Sequence, residues 1–302
     1  MTDVCQPSVG RLGLLAGSGE LPARVAQNAM AYGWDVAAFT MDRDNAAALR
    51  ALGVSSLDAI SPGLLGQNLA LFKQRGVSHI VFAGKVSKWL LFRNPRLDAV
   101  ALNALRRLAL RNDDRMMLGL IDIIEAEGLQ VLPQTAFLKD LILPACRLSQ
   151  RSLFDEEVRD AAYGFHLAKE MGRLDIGQTV VVSQGMTLAV EAIEGTDECL
   201  RRAGKWGGRK GGVAVKVAKP SQDQRFDVPT VGVRTLKMMR DAGLRALVTE
   251  ADATLYLDPQ EMAAFADRAG MTVISVTADD LGVAADAAAP GRALRERAVA
   301  ER

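Results

Sequence analysis

The chain is 302 residues long, 49% hydrophobic and 24% charged, with a formal net charge of +1 at pH 7. This length allows two domains with well-filled cores, and a charge so close to zero gives no global reason to expect nucleic acid as a partner. The widely spaced cysteines argue against a structural zinc site and against a disulfide framework. We see no secretory signal and no apolar run of about 18 residues, so we expect neither export nor a membrane span.

The first half of the chain alternates short apolar strands with amphipathic helices. The predicted strands are 12–16, 35–40, 54–60, 79–83 and 129–132. Helices are predicted from Pro22 and near Leu64, Leu97 and Asp113. Strands that alternate with helices favour a parallel sheet with right-handed crossovers. We therefore predict a Rossmann-like domain over residues 1–134, followed by a linker over 135–152, where the periodicity fades.

The second half repeats the alternation. Strands are predicted at 179–183, 186–191, 213–217, 246–249, 255–257 and 272–276, with helices at 154–171, after Gly195, around Thr235 and at 259–269. This pattern predicts a second α/β domain over residues 153–279, which would carry the catalytic residues. Residues 280–302 offer little to bury, which predicts a flexible tail. The predicted fold class is thus α/β, with two α/β domains joined by a linker.

A glycine turn follows the first strand. Gly17, Ser18 and Gly19 would let backbone amides approach a phosphate at a helix N-terminus. The dinucleotide fingerprint would place a third glycine where Pro22 stands, although an acid, Asp42, does follow the second strand. A phosphate or nucleotide cradle and an ordinary tight turn both stay open.

Two further stretches of the first half contain polar residues near strand or helix ends. Gly84 and Lys85 follow the strand 79–83, at the end of a strand where open parallel sheets usually bind ligands. The cations and apolar residues after them could hold a phosphate beside apolar chains, or could simply begin a helix. Asp113 and Asp114 favour helix capping, with binding of sugar hydroxyls or a cation as the alternative.

The second half contains a basic run that leads into two carboxylates. Between Glu198 and Asp223 no acid interrupts the cations Arg201, Arg202, Lys205, Arg209, Lys210, Lys216 and Lys219. Asp223 and Asp227 then flank Arg225, in a loop that could hold a divalent ion or a proton. Thr196 or Asp197 can cap a helix whose free amides suit a phosphate. An anionic ligand beside a metal and a solvated basic surface both stay open.

Motifs in both halves occur in a recognisable order: LAGSGELP, FAGKVSK, NDD-R, GRLDIGQ, LAVEAIEGTDECLRRA and KPSQDQRFDVPTVG. Over residues 10–276 they resemble the LpxI-type UDP-2,3-diacylglucosamine pyrophosphatases of lipid A biosynthesis. The resemblance implies two α/β domains with the lipid substrate between them. It also implies Mg²⁺-dependent hydrolysis of UDP-2,3-diacylglucosamine to 2,3-diacylglucosamine 1-phosphate (lipid X) and UMP.

The same resemblance implies which residues form the site. Asp227 matches the carboxylate on which the family's catalysis depends, and Asp223 matches a position that is also acidic, so both are predicted to be catalytic and to bind Mg²⁺. The implied substrate-binding residues are Gly17, Ser18, Gly19, Gly84, Lys85, Asp113, Asp114, Thr196, Asp197, Arg201, Lys219 and Gln222.

The implied substrate also predicts where the protein works. Two acyl chains call for an apolar groove, so we expect a cytoplasmic protein that associates peripherally with the inner membrane. We expect no nucleic-acid partner and leave a homodimer open. The first alternative is a non-catalytic carrier that binds an acylated sugar phosphate without turnover. A Rossmann NAD-dependent oxidoreductase, suggested by the glycine turn and Asp42, is the less favoured alternative.

Overall fold

The computed structural model describes residues 10–84, 97–108, 113–207, 211–220 and 222–283. Its contacts divide the chain into two units. Unit 1 contains residues 1–139 together with Asp223–Asp227, and unit 2 contains residues 140–222 and 228–302. No helix within these described ranges is long and apolar enough to cross a membrane.

Unit 1 is built on a parallel sheet in the order β3-β2-β1-β4-β5, which confirms the predicted Rossmann-like architecture. Its strands are β1 (Arg11–Ala16), β2 (Asp35–Thr40), β3 (Ser56–Ala59), β4 (Val77–Ala83) and β5 (Gln130–Leu132). β1, β2 and β4 are almost continuously buried, because helices cover both faces of such a sheet. The strand order reverses between β1 and β4, and ligands usually bind at this point in open α/β sheets.

The helices of unit 1 are α1 (Leu21–Ala31), α2 (Arg43–Ala51), α3 (Leu65–Gln74), α4 (Ala99–Leu108) and α5 (Asp113–Ala126). In α1 the residues Pro22, Val25, Ala26 and Ala29 are buried, as their helical spacing predicts. The sequence pattern does not predict α2. Asp42, the acid that suggested a dinucleotide site, caps α2 by accepting a hydrogen bond of 2.9 Å from the backbone N–H of Asp44.

Unit 2 contains a mixed sheet in the order β6-β13-β11-β9-β7-β8, which confirms the second α/β domain. β9 (Val213–Lys216), β11 (Ala246–Glu250) and β13 (Thr272–Val276) run parallel to one another. Antiparallel neighbours extend this parallel centre: β6 (Cys146–Arg147) on one side, and β7 (Thr179–Ser183) with β8 (Met186–Val190) on the other. A short parallel pair, β10 (Thr230–Val231) and β12 (Leu255–Tyr256), lies outside this sheet.

Apolar cores cover the main sheet of unit 2. One surrounds Tyr256 and Met239, and the other contains Phe165 and Val215. The helices are α6 (Asp155–Arg173), α7 (Thr196–Trp206), α8 (Val233–Asp241) and α9 (Pro259–Ala269).

Two segments differ from the sequence prediction. Residues 135–152, predicted as a linker, contain parts of two 3₁₀ turns, Gln134–Phe137 and Lys139–Leu141, and the strand β6. Turns this short have no amphipathic repeat, so the sequence pattern fades although the chain is packed. At the start of the predicted tail, Leu281 and Val283 are buried against the core of unit 2. Residues 284–302 lie outside the described ranges.

Replacing Gly84 with alanine should destabilise unit 1. Gly84 has a φ of 86°, and a Cβ atom there would lie 2.7 Å from the Ser18 carbonyl oxygen. We expect the free energy of unfolding to fall by more than the roughly 1–2 kcal/mol of left-handed strain alone. Urea denaturation would measure this. Gly53→Ala is the matched control, because Gly53 has a φ of 80° but a Cβ atom there would meet nothing within 4 Å. Equal losses in both variants would contradict the close approach.

Candidate functional site

Two glycine-containing loops meet at the carboxyl ends of β1 and β4 in unit 1. The backbone N–H of Gly17 donates to the Ala83 carbonyl at 2.8 Å, and the Asn45 amide donates to the Gly17 carbonyl. A Cβ atom on Gly84 would overlap both Ser18 and Gly17. The structure thus brings together Gly17, Ser18, Gly19 and Gly84, which the sequence predicted as separate elements of the site.

This loop pair has properties suited to binding an anion. Gly19 has a φ of 97°, and a Cβ atom there would meet nothing within 4 Å, so the backbone is open on that side. The loop leads through the N-cap residue Glu20 into α1, whose first turn contains no acidic residue. Helix N-termini present free N–H groups and the positive end of the helix dipole, both of which favour a phosphate.

The segment Asp223–Asp227 belongs to unit 1, although the chain on both sides of it belongs to unit 2. The Gln224 carbonyl accepts a hydrogen bond of 3.0 Å from the Gln134 backbone, and the Gln224 side chain accepts one of 3.0 Å from the Thr135 hydroxyl. Phe226 packs against the core of unit 1. The predicted catalytic domain, residues 153–279, therefore contains two candidate catalytic residues that are packed in the other unit.

Asp223 is held by Arg225. Its Oδ1 accepts hydrogen bonds from the Arg225 backbone N–H at 2.9 Å and from Nε at 3.0 Å, while Oδ2 accepts from Nε at 3.1 Å and from Nη2 at 2.7 Å. Partial burial opposes ionisation of Asp223, but the hydrogen bonds from Arg225 outweigh it and lower the pKa of this carboxyl below its ordinary value. The Asp223 carboxylate is therefore hydrogen-bonded by Arg225, two residues later in the chain.

Asp227 lies at the end of the same turn. Its backbone N–H donates to the Asp223 carbonyl at 3.1 Å, and its side chain is half-buried. Because Asp227 follows Phe226 directly, the ring that packs in the core of unit 1 fixes the backbone from which this carboxylate projects. Asp223 and Asp227 thus share one turn but have different surroundings.

The predicted Mg²⁺ site fits Asp227 better than Asp223. A carboxylate has about four lone-pair positions. Each oxygen of Asp223 accepts two hydrogen bonds from Arg225, so Asp223 does not fit a metal ligand in this arrangement. Among the described residues, no group of three or more His, Cys, Asp and Glu side chains could hold an ion. Mg²⁺ commonly takes one or two protein carboxylates and completes its shell with water and substrate phosphates. Asp227 fits that mode.

The predicted phosphate-binding cations of unit 2 are engaged in ion pairs. Arg201 donates to Glu198, one turn earlier on α7, at 2.7 Å through Nε. The Lys219 ammonium lies 2.7 Å from the Asp175 carboxylate, and both side chains are largely buried. Each of these cations is thus paired with an acidic neighbour, and its role towards a phosphate stays a prediction.

Two other predicted residues make contacts within unit 2, one between the helices α7 and α8 and one within a turn. The Asp197 carboxylate lies 2.8 Å from the Arg234 guanidinium. Gln222 accepts a hydrogen bond of 2.7 Å from the Lys219 backbone N–H, which closes the turn after β9.

Thr196 lies in a buried polar cluster that the sequence analysis did not predict. Its hydroxyl accepts a hydrogen bond of 2.8 Å from the Lys216 ammonium and donates one of 2.9 Å to Glu191. Lys216 was noted as one cation of the basic run, but nothing local to it pointed to Glu191. The available signal was a lysine inside an otherwise apolar strand, Val213–Lys216.

The remaining predicted residues lie in unit 1. Asp113 and Asp114 form the first residues of α5, as the capping motif predicted. Lys85 lies outside the described residues.

Comparisons with known proteins cover most of the chain. A short chain dehydrogenase structure from Mycobacterium smegmatis is 14% identical, with coverage of 92% of this chain and 93% of that one, but its TM-score of 0.26 supports no conclusion. The UDP-2,3-diacylglucosamine pyrophosphatase LpxI of Caulobacter vibrioides (strain ATCC 19089 / CIP 103742 / CB 15) is 35% identical over 281 residues, 88% of this chain and 97% of that protein. The models of the LpxI N-terminal and LpxI C-terminal domains match residues 11–141 and 144–274. The chain therefore belongs to the LpxI family.

Proposed function

We propose that this protein hydrolyses the pyrophosphate bond of UDP-2,3-diacylglucosamine to give 2,3-diacylglucosamine 1-phosphate (lipid X) and UMP in lipid A biosynthesis. The observation that carries this proposal is the 35% identity to the named pyrophosphatase of Caulobacter vibrioides over 97% of that protein. Purified protein supplied with this lipid nucleotide should release UMP. Tight binding of the lipid nucleotide without release of UMP would instead favour a carrier.

In the proposed reaction, the chain must overcome the negative charge with which a pyrophosphate repels an attacking water. The backbone N–H groups of Ser18 and Gly19 lie in the loop that leads into the N-terminal end of α1, and the Gly17 N–H, bonded to Ala83, together with Gly84 holds the two loops close to each other. Such preorganised donors stabilise phosphate oxygens at no reorganisation cost during the reaction. We assign them to the diphosphate of the substrate.

Asp227 is the residue to which we assign the chemical step. A carboxylate on a fixed turn can orient the attacking water and accept its proton. Asp227 is also the carboxylate that would hold Mg²⁺, an ion that neutralises phosphate charge and polarises a phosphoryl oxygen. Arg225 holds Asp223 and thereby stabilises the turn, so we assign Asp223 a positioning role.

Asp227→Asn should lower kcat of UMP release by roughly 10²–10⁴-fold, the usual contribution of a positioned acid–base group, with little change in the thermal unfolding midpoint. Asp122→Asn is the matched control, because Asp122 is an exposed acid of the same unit. Turnover of Asp227→Asn at the rate of the control would refute the assigned role.

Chelation should test the proposed need for Mg²⁺. We expect UMP release to stop when EDTA removes divalent ions and to return when Mg²⁺ is added in excess, because the described residues offer no preformed cage of three or more His, Cys, Asp or Glu ligands. The ion should therefore bind weakly without substrate. Full turnover in EDTA would contradict this prediction.

We further propose that the protein acts in the cytoplasm at the inner membrane surface, where a substrate with two acyl chains resides. Unit 2 exposes two large apolar side chains near the two ends of α7: Ile193, three residues before the helix begins, has 80% of its surface exposed, and Trp206, its last residue, has 77%. Tryptophan favours the membrane interface, and exposed apolar side chains gain free energy on entering it. These residues support the proposal of peripheral binding through unit 2.

Vesicle sedimentation would measure this association. Replacing both Ile193 and Trp206 with serine should weaken binding to phosphatidylglycerol-containing vesicles by about tenfold or more, because two apolar side chains no longer leave water. Leu174→Ser is the control, since Leu174 is also 60% exposed but lies at the end of α6. If the double variant and Leu174→Ser bind vesicles equally well, Ile193 and Trp206 are not the membrane contact.

A further inference from the structure

A buried amide of unit 1 contacts the segment Gly17–Ser18–Gly19, which we refer to as the glycine loop. Asn45 is the third residue of α2 and has 7% of its surface exposed, and its Nδ2 donates to the Gly17 carbonyl. Burial of an amide costs free energy unless it is hydrogen-bonded, and asparagine favours a helix less than alanine does. Neither packing nor helix propensity therefore explains Asn45, whereas its contact with Gly17 does.

Gly17 is held from both of the strands that neighbour β1. The strand β1 lies between β2 and β4 in the sheet. From β4, the Ala83 carbonyl accepts a hydrogen bond of 2.8 Å from the Gly17 N–H. From the helix that follows β2, the Asn45 amide donates to the Gly17 carbonyl. Both polar groups of the Gly17 backbone are thus engaged, and the only side chain in this pair of contacts is Asn45.

The contact with Asn45 fixes more than one carbonyl group. A peptide unit is planar, and none of the described residues has a cis peptide bond. The Gly17 carbonyl and the Ser18 N–H therefore lie in one plane and point in opposite directions, so holding the first also orients the second. The next plane is confined by Gly84, where a Cβ atom would lie 2.7 Å from the Ser18 carbonyl oxygen. Asn45 thus orients the first peptide plane of the glycine loop, and the close approach of Gly84 confines the second.

The start of α2 is itself fixed to the sheet. Thr40, the last residue of β2, has 5% of its surface exposed, and its hydroxyl lies 3.2 Å from the Ala16 carbonyl oxygen. The same hydroxyl accepts a hydrogen bond of 3.0 Å from the backbone N–H of Asp42, which caps α2. In a dinucleotide site the acid after the second strand would bind the ribose. Here that acid supports the helix that carries Asn45.

The composition of the glycine loop makes such support important for binding. Glycine has the largest backbone freedom of all residues, and two of the three residues in the loop are glycines. A Cβ atom on Gly19 would meet nothing within 4 Å, so side-chain packing does not restrain that residue. A ligand that binds a mobile loop must order it, and this cost reduces the affinity. A contact that orders the loop beforehand therefore increases the affinity.

We propose that Asn45 is a positioning residue for phosphate binding, which acts through the Gly17 carbonyl to order the glycine loop before the substrate arrives. This role rests on the proposed function, because that function assigns the loop to the diphosphate of the substrate. Asn45 donates to the protein backbone and leaves contact with the diphosphate to the loop. Its contribution is therefore expected in the affinity for a diphosphate.

Titration calorimetry of the full chain with UDP tests this role, because UDP contains the diphosphate without the lipid. Asn45→Ala should weaken UDP binding by roughly 5–50-fold, since the carbonyl that loses its partner no longer orders the loop. Asn68→Ala is the matched control. Asn68 has 9% of its surface exposed, lies on α3 of the same unit and donates through Nδ2 to the Ser61 carbonyl at 2.8 Å. This control should bind UDP as tightly as the wild type does.

Thermal unfolding separates positioning from a general loss of stability. Each variant removes one hydrogen bond from a buried amide to a backbone carbonyl, so both unfolding midpoints should fall by a similar amount, roughly 2–8 °C. Asn45→Leu preserves the approximate shape of the side chain and removes the donor, and it replaces Asn45→Ala if that variant does not fold. Equal UDP affinity in the Asn45 and Asn68 variants, or no binding of UDP by the wild type, would overturn the proposed role.

The proposed reaction is tested separately. Release of UMP from UDP-2,3-diacylglucosamine by the wild-type protein reports on the reaction, whereas the UDP titrations need no turnover. Absence of UMP release, together with a selective loss of UDP affinity in Asn45→Ala, would refute the reaction and support the role of Asn45. Release of UMP by the wild type, together with equal UDP affinity in all variants, would support the reaction and refute that role.

Discussion

The position of the candidate catalytic carboxylate depends on one aromatic anchor. Phe226 packs in the core of unit 1, and Asp227 is the next residue along the chain. The hydrogen bonds of Gln224 to Gln134 and Thr135 hold the same segment from its other side. Packing of the aromatic ring thereby fixes the backbone beside Asp227, which a solvated carboxylate could not do by itself. Because the anchoring side chain is apolar, its packing buries little polar surface.

The charges around this anchor are organised by internal pairing. Arg225 engages Asp223, Arg201 engages Glu198, and Lys219 engages Asp175. Such pairs order loops and helix ends, but they remove cations from the set that could meet a phosphate. Lys216 differs from these three cations because its described contact is a neutral hydroxyl. A simple count of charges would not distinguish Lys216 from the other cations of the run.

Much of the fold could be predicted from the sequence because apolar runs and glycine turns are local signals. The five strands of the parallel sheet in the described part of unit 1 follow from such runs. The helix α2 could not be predicted, since its alanines and polar residues form no clear apolar stripe. The two-residue strands β6 and β10 lie in segments with no alternating apolar pattern, so they could not be predicted, whereas the equally short β12 lies within the predicted strand 255–257.

The site was less predictable than the fold, because its partners are distant in sequence. The run between Glu198 and Asp223 contains no acid, which left an anionic-ligand site and a solvated basic surface both open. The acids that contact this run lie before it in the sequence. Asp175 contacts Lys219, and Glu194 contacts Arg202. Glu191 contacts Thr196, which binds Lys216. Likewise, nothing in the sequence around Phe226 indicates that its ring packs against the core of unit 1 and does not belong to a loop of unit 2.

The path of the chain has a consequence for dividing this protein into parts. The backbone passes between the units after Lys139, after Gln222 and again after Asp227, so three covalent crossings join them. The matched family domains meet near residues 141–144, which suggests a simple division of the chain there. A fragment that ends at this point lacks Phe226, whose ring packs against the core of unit 1. The first half is therefore structurally incomplete as a linear piece, because unit 1 includes Asp223–Asp227 from the second half of the chain.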